Sequence, residues 1–195
     1  MPKVVAGYKE EAKRTILLTA AEVFSEKGYH EATMDDVAEK LGVSKGAVYQ
    51  YFPSKDVLFQ ELCGNAAKKV EEMLRTSFTG PTVRDSAERY IDAELDKMAR
   101  GQLLFEALAE APRNPALSKV VRGNYTACSL VLKNFLDGLK DAGELKQDVD
   151  TVSAVRFLIA LRHGVLVSFV QGLGRQEAKK VWLNGFDSVL AGSIV

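Results

Sequence analysis

The residues whose types and spacing suggest chemistry lie between Thr33 and Lys55, in T-M-D-D-V-A-E-K-L-G-V-S-K-G-A-V-Y-Q-Y-F-P-S-K. On a helix of 3.6 residues per turn, Val48 and Phe52 share a face and must pack inward. The opposite face carries Gly46 and Gln50, flanked by Ala47 and Tyr49. That set suits the edges of DNA bases. Glycine lets backbone approach a surface closely, Gln50 can pair bidentately with adenine, and Ala47 can touch a thymine methyl. Lys45, Tyr49 and Lys55 fall where phosphate oxygens would lie, and a helix N-terminus adds partial positive charge there. Thr33, Ser44 and Tyr51 complete the candidate DNA contacts.

Bond-making chemistry finds no comparable set. An enzyme that uses a nucleophile or a metal needs a base, usually histidine, within reach of it. The two histidines, His30 and His163, fall in different predicted domains. No Gly-rich phosphate loop, H-E-x-x-H or G-x-S-x-G occurs. Cys63 and Cys128 stand far apart inside apolar stripes, as buried free thiols of a reducing compartment do, and not as clustered metal ligands. The expectation is a protein that binds and does not catalyse, with no cofactor and no metal.

The elements that position these residues are legible from caps and stripes. Thr33 can N-cap a helix with Asp36 three residues on, an acidic capping box. Met34, Val37, Ala38 and Leu41 follow at i, i+3, i+4 and i+7. Gly42 closes that helix in the left-handed conformation, Val43 is expected as an apolar plug, and Ser44 caps a second helix running to about Tyr51. Pro53 stops the second helix and Ser54 caps a third. Two helices around a short Gly-containing turn make a helix-turn-helix, whose second helix fits the DNA major groove.

Phe24, Gly28-Tyr29, Thr33, Val37-Ala38, Gly42-Val43-Ser44-Lys45-Gly46, Tyr49, Tyr51-Phe52-Pro53 and Ser54-Lys55 resemble the DNA-binding domain of TetR-type transcriptional regulators. The resemblance runs from about residue 9 to 60 without a gap and includes a Y-x-[HY]-F-x-x-K ending. Beyond it, the chain resembles that family only in length and helical pattern. The resemblance implies a homodimer formed through the last two long helices and a second domain that responds to a small molecule.

Charge does not by itself suggest DNA. The 195 residues carry 26 basic and 26 acidic side chains, whereas phosphate contacts normally leave a basic footprint. Binding is therefore expected to lean on geometry and dimerisation, with Lys3, Lys9, Lys13 and Arg14 available as an arm. The N-terminus has no apolar run of signal-peptide kind, and Val155–Val170 is interrupted by Arg156, Arg162 and His163 and falls short of a membrane span. The expected location is the cytoplasm, with no membrane partner.

Stripes of 3.6-residue period recur throughout, so the fold is read as all-α, with about nine helices. Residues 1–54 are read as a three-helix DNA-binding domain and 55–195 as a ligand-binding and dimerisation domain. A helix of about 20 residues after Ser54 is expected to join the two as a lever, with a break at Thr79-Gly80-Pro81. The helix from about Thr151 to Gln171 is apolar nearly all round, and the next carries Trp182, Phe186 and Leu190. Such a pair suits an intersubunit four-helix bundle, and Ala160, Gly164 and Ser168 would let another helix come close.

Large or polar residues on apolar faces are the candidate ligand contacts: Tyr90, Phe105, Tyr125, Phe135, Arg162, His163 and Trp182. Arg162 in an apolar helix must find a partner, either a carboxylate across a dimer or an anionic ligand. The first reading is a homodimeric, ligand-responsive regulator, a repressor, that binds a near-palindromic double-stranded operator and leaves it on binding a small apolar or amphipathic effector. The alternative is a small-molecule binder or enzyme that keeps the helix-turn-helix as scaffold.

Overall fold

The computed structural model describes residues 6–64, 66–77, 82–100 and 103–192, and those residues are all-helical. Ten helices occur among them, one more than the stripes suggest. The extra one comes from the expected lever. Helix α4 (Lys55–Cys63) ends at Gly64, whose amide turns back to the Glu61 carbonyl at 3.2 Å, and α5 (Ala66–Ser77) begins beyond it. Glycine inside a helix costs about 1 kcal/mol relative to alanine, which marks this as a weak point for a continuous helix. The break expected at Thr79-Gly80-Pro81 lies outside the described residues.

The chain forms two compact units, Met1–Asn65 with Arg100–Gly123, and Ala66–Ala99 with Asn124–Val195. The first contains α1 (Ala6–Glu31), α2 (Met34–Leu41), α3 (Lys45–Tyr49), α4, α7 (Leu103–Glu110) and the start of α8 (Pro115–Asp141). Gly28 interrupts α1 at φ 75°, ψ 163°, a region essentially reserved for glycine, so the expected helix end after Lys27 is a kink followed by one more turn. Ile16, Ala20, Val23 and Phe24 of α1 meet Val37 and Ala38 of α2, with Phe24, Tyr29 and Phe59 forming an aromatic cluster. Leu117 of α8 and Ala107 of α7 complete this core.

The second unit holds α5, α6 (Val83–Arg100), the remainder of α8, α9 (Thr151–Val170) and α10 (Arg175–Leu190). Thr82 and Asp85 cap α6, the Thr82 hydroxyl accepting from the Asp85 amide at 3.0 Å. Asp150 caps α9 by accepting from the Val152 amide at 3.0 Å. Ala87, Ile91 and Leu95 of α6 are fully buried, as are Leu136 of α8, Ala154 and Leu166 of α9, and Val189 of α10. Gly185 lets α9 and α10 approach closely: a methyl there would overlap the Leu161 side chain. In length and composition α9 would serve as a membrane span, but Ala154, Val155, Leu158, Val165 and Leu166 are packed inside this unit.

Candidate nucleic-acid interface and interior cavity

The corner between α2 and α3 is fixed by local hydrogen bonds. The Thr33 hydroxyl accepts from the Asp36 amide at 3.1 Å, and the Asp36 carboxylate accepts from the Thr33 amide at 2.8 Å. Lys27 also donates to Asp36 at 2.6 Å. The Lys27 ammonium, the Thr33 hydroxyl and the Thr33 amide together hold the Asp36 carboxyl down at about 2. Gly42 sits at φ 69°, ψ 30°, and Ser44 caps α3 by accepting from the Ala47 amide at 3.3 Å. The regular part of α3 is five residues, shorter than expected, and a further turn carries the chain to Phe52, whose amide reaches the Val48 carbonyl at 3.1 Å.

Val48 and Phe52 are wholly buried, which fixes the face α3 turns outward. Gly46 and Gln50 are exposed, Ala47 and Tyr51 half-buried, and a methyl on Gly46 would meet nothing within 4 Å. Thr33 and Ser44 are exposed beside them. Tyr49 is 41 % exposed, with Lys45 Nζ 5.7 Å from its ring centroid. Val43 is 45 % exposed and plugs nothing, because the Gly42 turn points it away from the core that Val37 and Val48 fill.

The two lysines are engaged within the unit. Lys45 pairs with Asp35 at 2.7 Å, and Asp35 holds its ammonium pKa up. Lys55 donates to the Tyr29 carbonyl at 2.7 Å and the His30 carbonyl at 2.9 Å, with its ammonium 4.7 Å from the Tyr29 ring centroid. Lys55 thus acts as a cap on the end of α1 within its own unit.

The second unit contains a cavity of about 40 Å³. Four of the candidate ligand residues line it: Tyr90 from α6, Phe135 from α8, Arg162 from α9 and Trp182 from α10. Leu132, Leu136, Leu158 and Ile159 also line it, each one helical turn or less from Phe135 or Arg162, a spacing that could have indicated them. Phe105 lies in the other unit, Tyr125 is 47 % exposed, and His163 is half-buried but does not line the cavity. Burial, helped by Arg162, pushes the His163 imidazole down, so it is neutral at pH 7. Trp182 donates its indole N–H to the Ala87 carbonyl at 2.9 Å.

Arg162 finds its partner within its own chain. Its Nε donates to Glu94 Oε2 at 2.8 Å, and Nη2 donates to the same oxygen. Glu94 also accepts from Lys97 at 2.7 Å and is 7 % exposed. Burial alone would raise the Glu94 carboxyl, but Arg162 and Lys97 overcome it and hold the group ionised. A carboxylate four residues after Tyr90, between Ile91 and Leu95, is the sequence signal that could have paired it with Arg162.

Residues 16–62 match the family described as bacterial regulatory proteins, tetR family. Residues 68–191 match the BetI-type transcriptional repressor C-terminal family, which spans well over half of the chain. The chain belongs to the TetR family. It is similar to the HTH-type transcriptional regulator UidR of Escherichia coli strain K12, 27 % identical over 173 residues, covering 82 % of this chain and 88 % of that one. Its fold is that of Salmonella enterica GusR, with a TM-score of 0.75 at 23 % identity, over 96 % of this chain and 99 % of the other. FadR of Bacillus subtilis, solved in complex with stearoyl-CoA, gives 0.69 at 19 % identity over 92 % and 98 %.

Membership in the TetR family makes this chain a transcriptional regulator, as its relatives are. In this TetR-family chain the residues chosen for a helix interface are not alike. Ala160 and Gly164 are exposed on one side of α9, and Ser168 and Leu190 are half-buried. Phe186 is 3 % exposed, stacks near Trp182 and lines the cavity, so it belongs to the interior of its own unit.

Proposed function

We propose that this TetR-family chain acts as a homodimeric repressor, with residues 1–54 reading double-stranded DNA and 55–195 serving ligand binding and dimerisation. Each subunit offers α3 to one major groove of a near-palindromic operator, whose half-sites lie one helical turn apart, about 34–36 Å, or a multiple of it. Gln50 and Ala47 read base edges, and Gly46 permits their approach. Lys45 and Tyr49, with the amides capped by Ser44, hold phosphates. Dimerisation uses the exposed side of α9 around Ala160 and Gly164 with the adjoining part of α10.

The observation that carries the reading is the division of α3: Val48 and Phe52 wholly buried, Gly46 and Gln50 exposed with open space before them. A helix whose only task was packing would not turn glycine, alanine and glutamine outward. A small apolar or amphipathic effector enters the cavity and releases the DNA. A cavity of about 40 Å³ has room for two or three waters, against several hundred Å³ for a ligand pocket, so binding must open it. A coupling of about 1–3 kcal/mol would weaken operator binding roughly 5- to 150-fold. The protein works in the cytoplasm, where its DNA is. The test is a binding selection from random duplexes with the purified chain. An enriched inverted repeat is expected, and its absence would end the proposal.

A further inference from the structure

Among the described residues, Arg162 is the one charged side chain on a cavity otherwise walled by apolar and aromatic groups. Its guanidinium reaches a single oxygen of Glu94, while the other, Oε1, accepts from Lys97 at 2.7 Å. One carboxylate therefore serves two cations. Neither neighbour corrects the imbalance: burial keeps the Tyr90 phenol neutral, and the His163 imidazole is neutral at pH 7. The Arg162–Glu94–Lys97 cluster behind this wall therefore carries one positive charge in excess, with Arg162 its only member on the lining.

The two cations are not equivalent. The Lys97 side chain is 63 % exposed and keeps its hydration, whereas that of Arg162 is 25 % exposed and turned to the cavity. If Arg162 takes another anion, Glu94 still has Lys97 and is not stranded. A cationic ligand would add charge of the sign already in excess, and a neutral one would leave the pair as it is. A guanidinium fork is also suited to a two-oxygen acid group.

We infer that the cavity takes an amphiphile with an anionic acid head and an apolar tail, the head replacing Glu94 on Arg162 and the tail widening the space beside Phe135, Leu158 and Trp182. This rests on the reading of the chain as a ligand-responsive regulator. The head is recognised by charge and by two acceptor oxygens, and the tail by burial of its methylenes.

Trp182 is the single tryptophan and lines the cavity, so its fluorescence reports entry directly. The probes are decanoate, decan-1-ol and decyltrimethylammonium, each below its micelle concentration, titrated into the full chain and into its complex with the selected operator. Decanoate is expected to shift Trp182 fluorescence at least about tenfold more tightly than the other two, and to release DNA over the same range. Arg162→Gln should erase the preference for the anion, with Glu94 still held by Lys97. Glu94→Gln, which removes the competitor, should enlarge it. Equal binding of the three probes, or a preference untouched by Arg162→Gln, would overturn the inference while leaving the regulator reading standing. A response of Trp182 to none of them would also overturn it. Failure to select any operator sinks the regulator reading instead, independently of the fluorescence result.

Discussion

Lys55 separates two roles that the sequence does not distinguish. Its place after Ser54 suits a phosphate contact, yet in the folded unit its ammonium donates to the carbonyls of Tyr29 and His30 and lies over the Tyr29 ring. Those carbonyls belong to the turn after the Gly28 kink, at the negative end of α1, where acceptors lack helical partners. A charge-assisted bond contributes about 1.5–3 kcal/mol when shielded and less when exposed, and the ring contact about 0.5–1. The Tyr29 bond is part-buried and the His30 bond exposed, so the larger share rests on the first. Lys55→Met keeps the stem over Tyr29 and loses the ammonium. The expected cost to the first unit is about 2–3 kcal/mol.

Hydrogen exchange is the assay that isolates this, because Trp182 fluorescence reports on the other unit. Protection of the slowest amides of α1 and α2 should fall roughly 30- to 150-fold in the variant without DNA. A phosphate contact behaves differently: protection would be unchanged, affinity would fall alike for all duplexes, and the salt slope would drop by about one. That second pattern would refute the cap.

Four further outcomes are expected. Gly28→Ala should destabilise by about 1–3 kcal/mol, read as a lower urea midpoint at unchanged slope, because φ 75°, ψ 163° strains any side chain while the nearest atom, Glu106 Oε1 at 3.6 Å, makes only ordinary contact. Asp36 is held down at about 2 from an ordinary 3.8, so the stabilisation it gives is present above about pH 4 and lost as pH falls toward 2. Asp36→Asn should flatten that part of an acid titration followed by circular dichroism. In operator binding, Gln50→Ala should relax preference at one base position, whereas Tyr49→Ala should weaken all duplexes alike, both read by competition with single-site variants. Asp35→Asn frees Lys45 and removes a carboxylate beside α3, and should tighten binding to every duplex and steepen its salt dependence.

What the sequence made legible is what local physics decides. Thr33 with Asp36, Gly42, Ser44 and Asp150 act within a few residues of themselves, and each cap forms as its spacing requires. The facing of α3 follows from two buried residues one turn apart, Val48 and Phe52. Partners distant in sequence were not legible. Nothing near Arg162 names Glu94, 68 residues away, and nothing near Lys55 names the carbonyls 25 and 26 residues before it. Phe186 and Leu190 share the stripe of Trp182 on α10, but only the first is swallowed by the core, because it stands one turn from Trp182 at the cavity whereas Leu190 is the last residue of the helix.

The zero net charge has a structural counterpart that bears on how such a chain could hold DNA. In the first unit Lys13 pairs with Glu61, Lys27 with Asp36, Lys40 with Glu22 and Glu26, and Lys45 with Asp35. Exposed pairs of this kind contribute about 0–1 kcal/mol, so exchanging one carboxylate for a phosphate costs little, but it leaves the carboxylate facing the duplex. A lysine that must be taken from an aspartate yields less field than a free one, and counterion release is correspondingly smaller. Non-specific affinity, which depends on that field, then falls further than specific affinity, which on the proposed reading also draws on the fit of Gly46, Ala47 and Gln50 to base edges. A charge-balanced reading domain in this arrangement gives up grip on arbitrary DNA and keeps discrimination, provided two copies of α3 engage one duplex together.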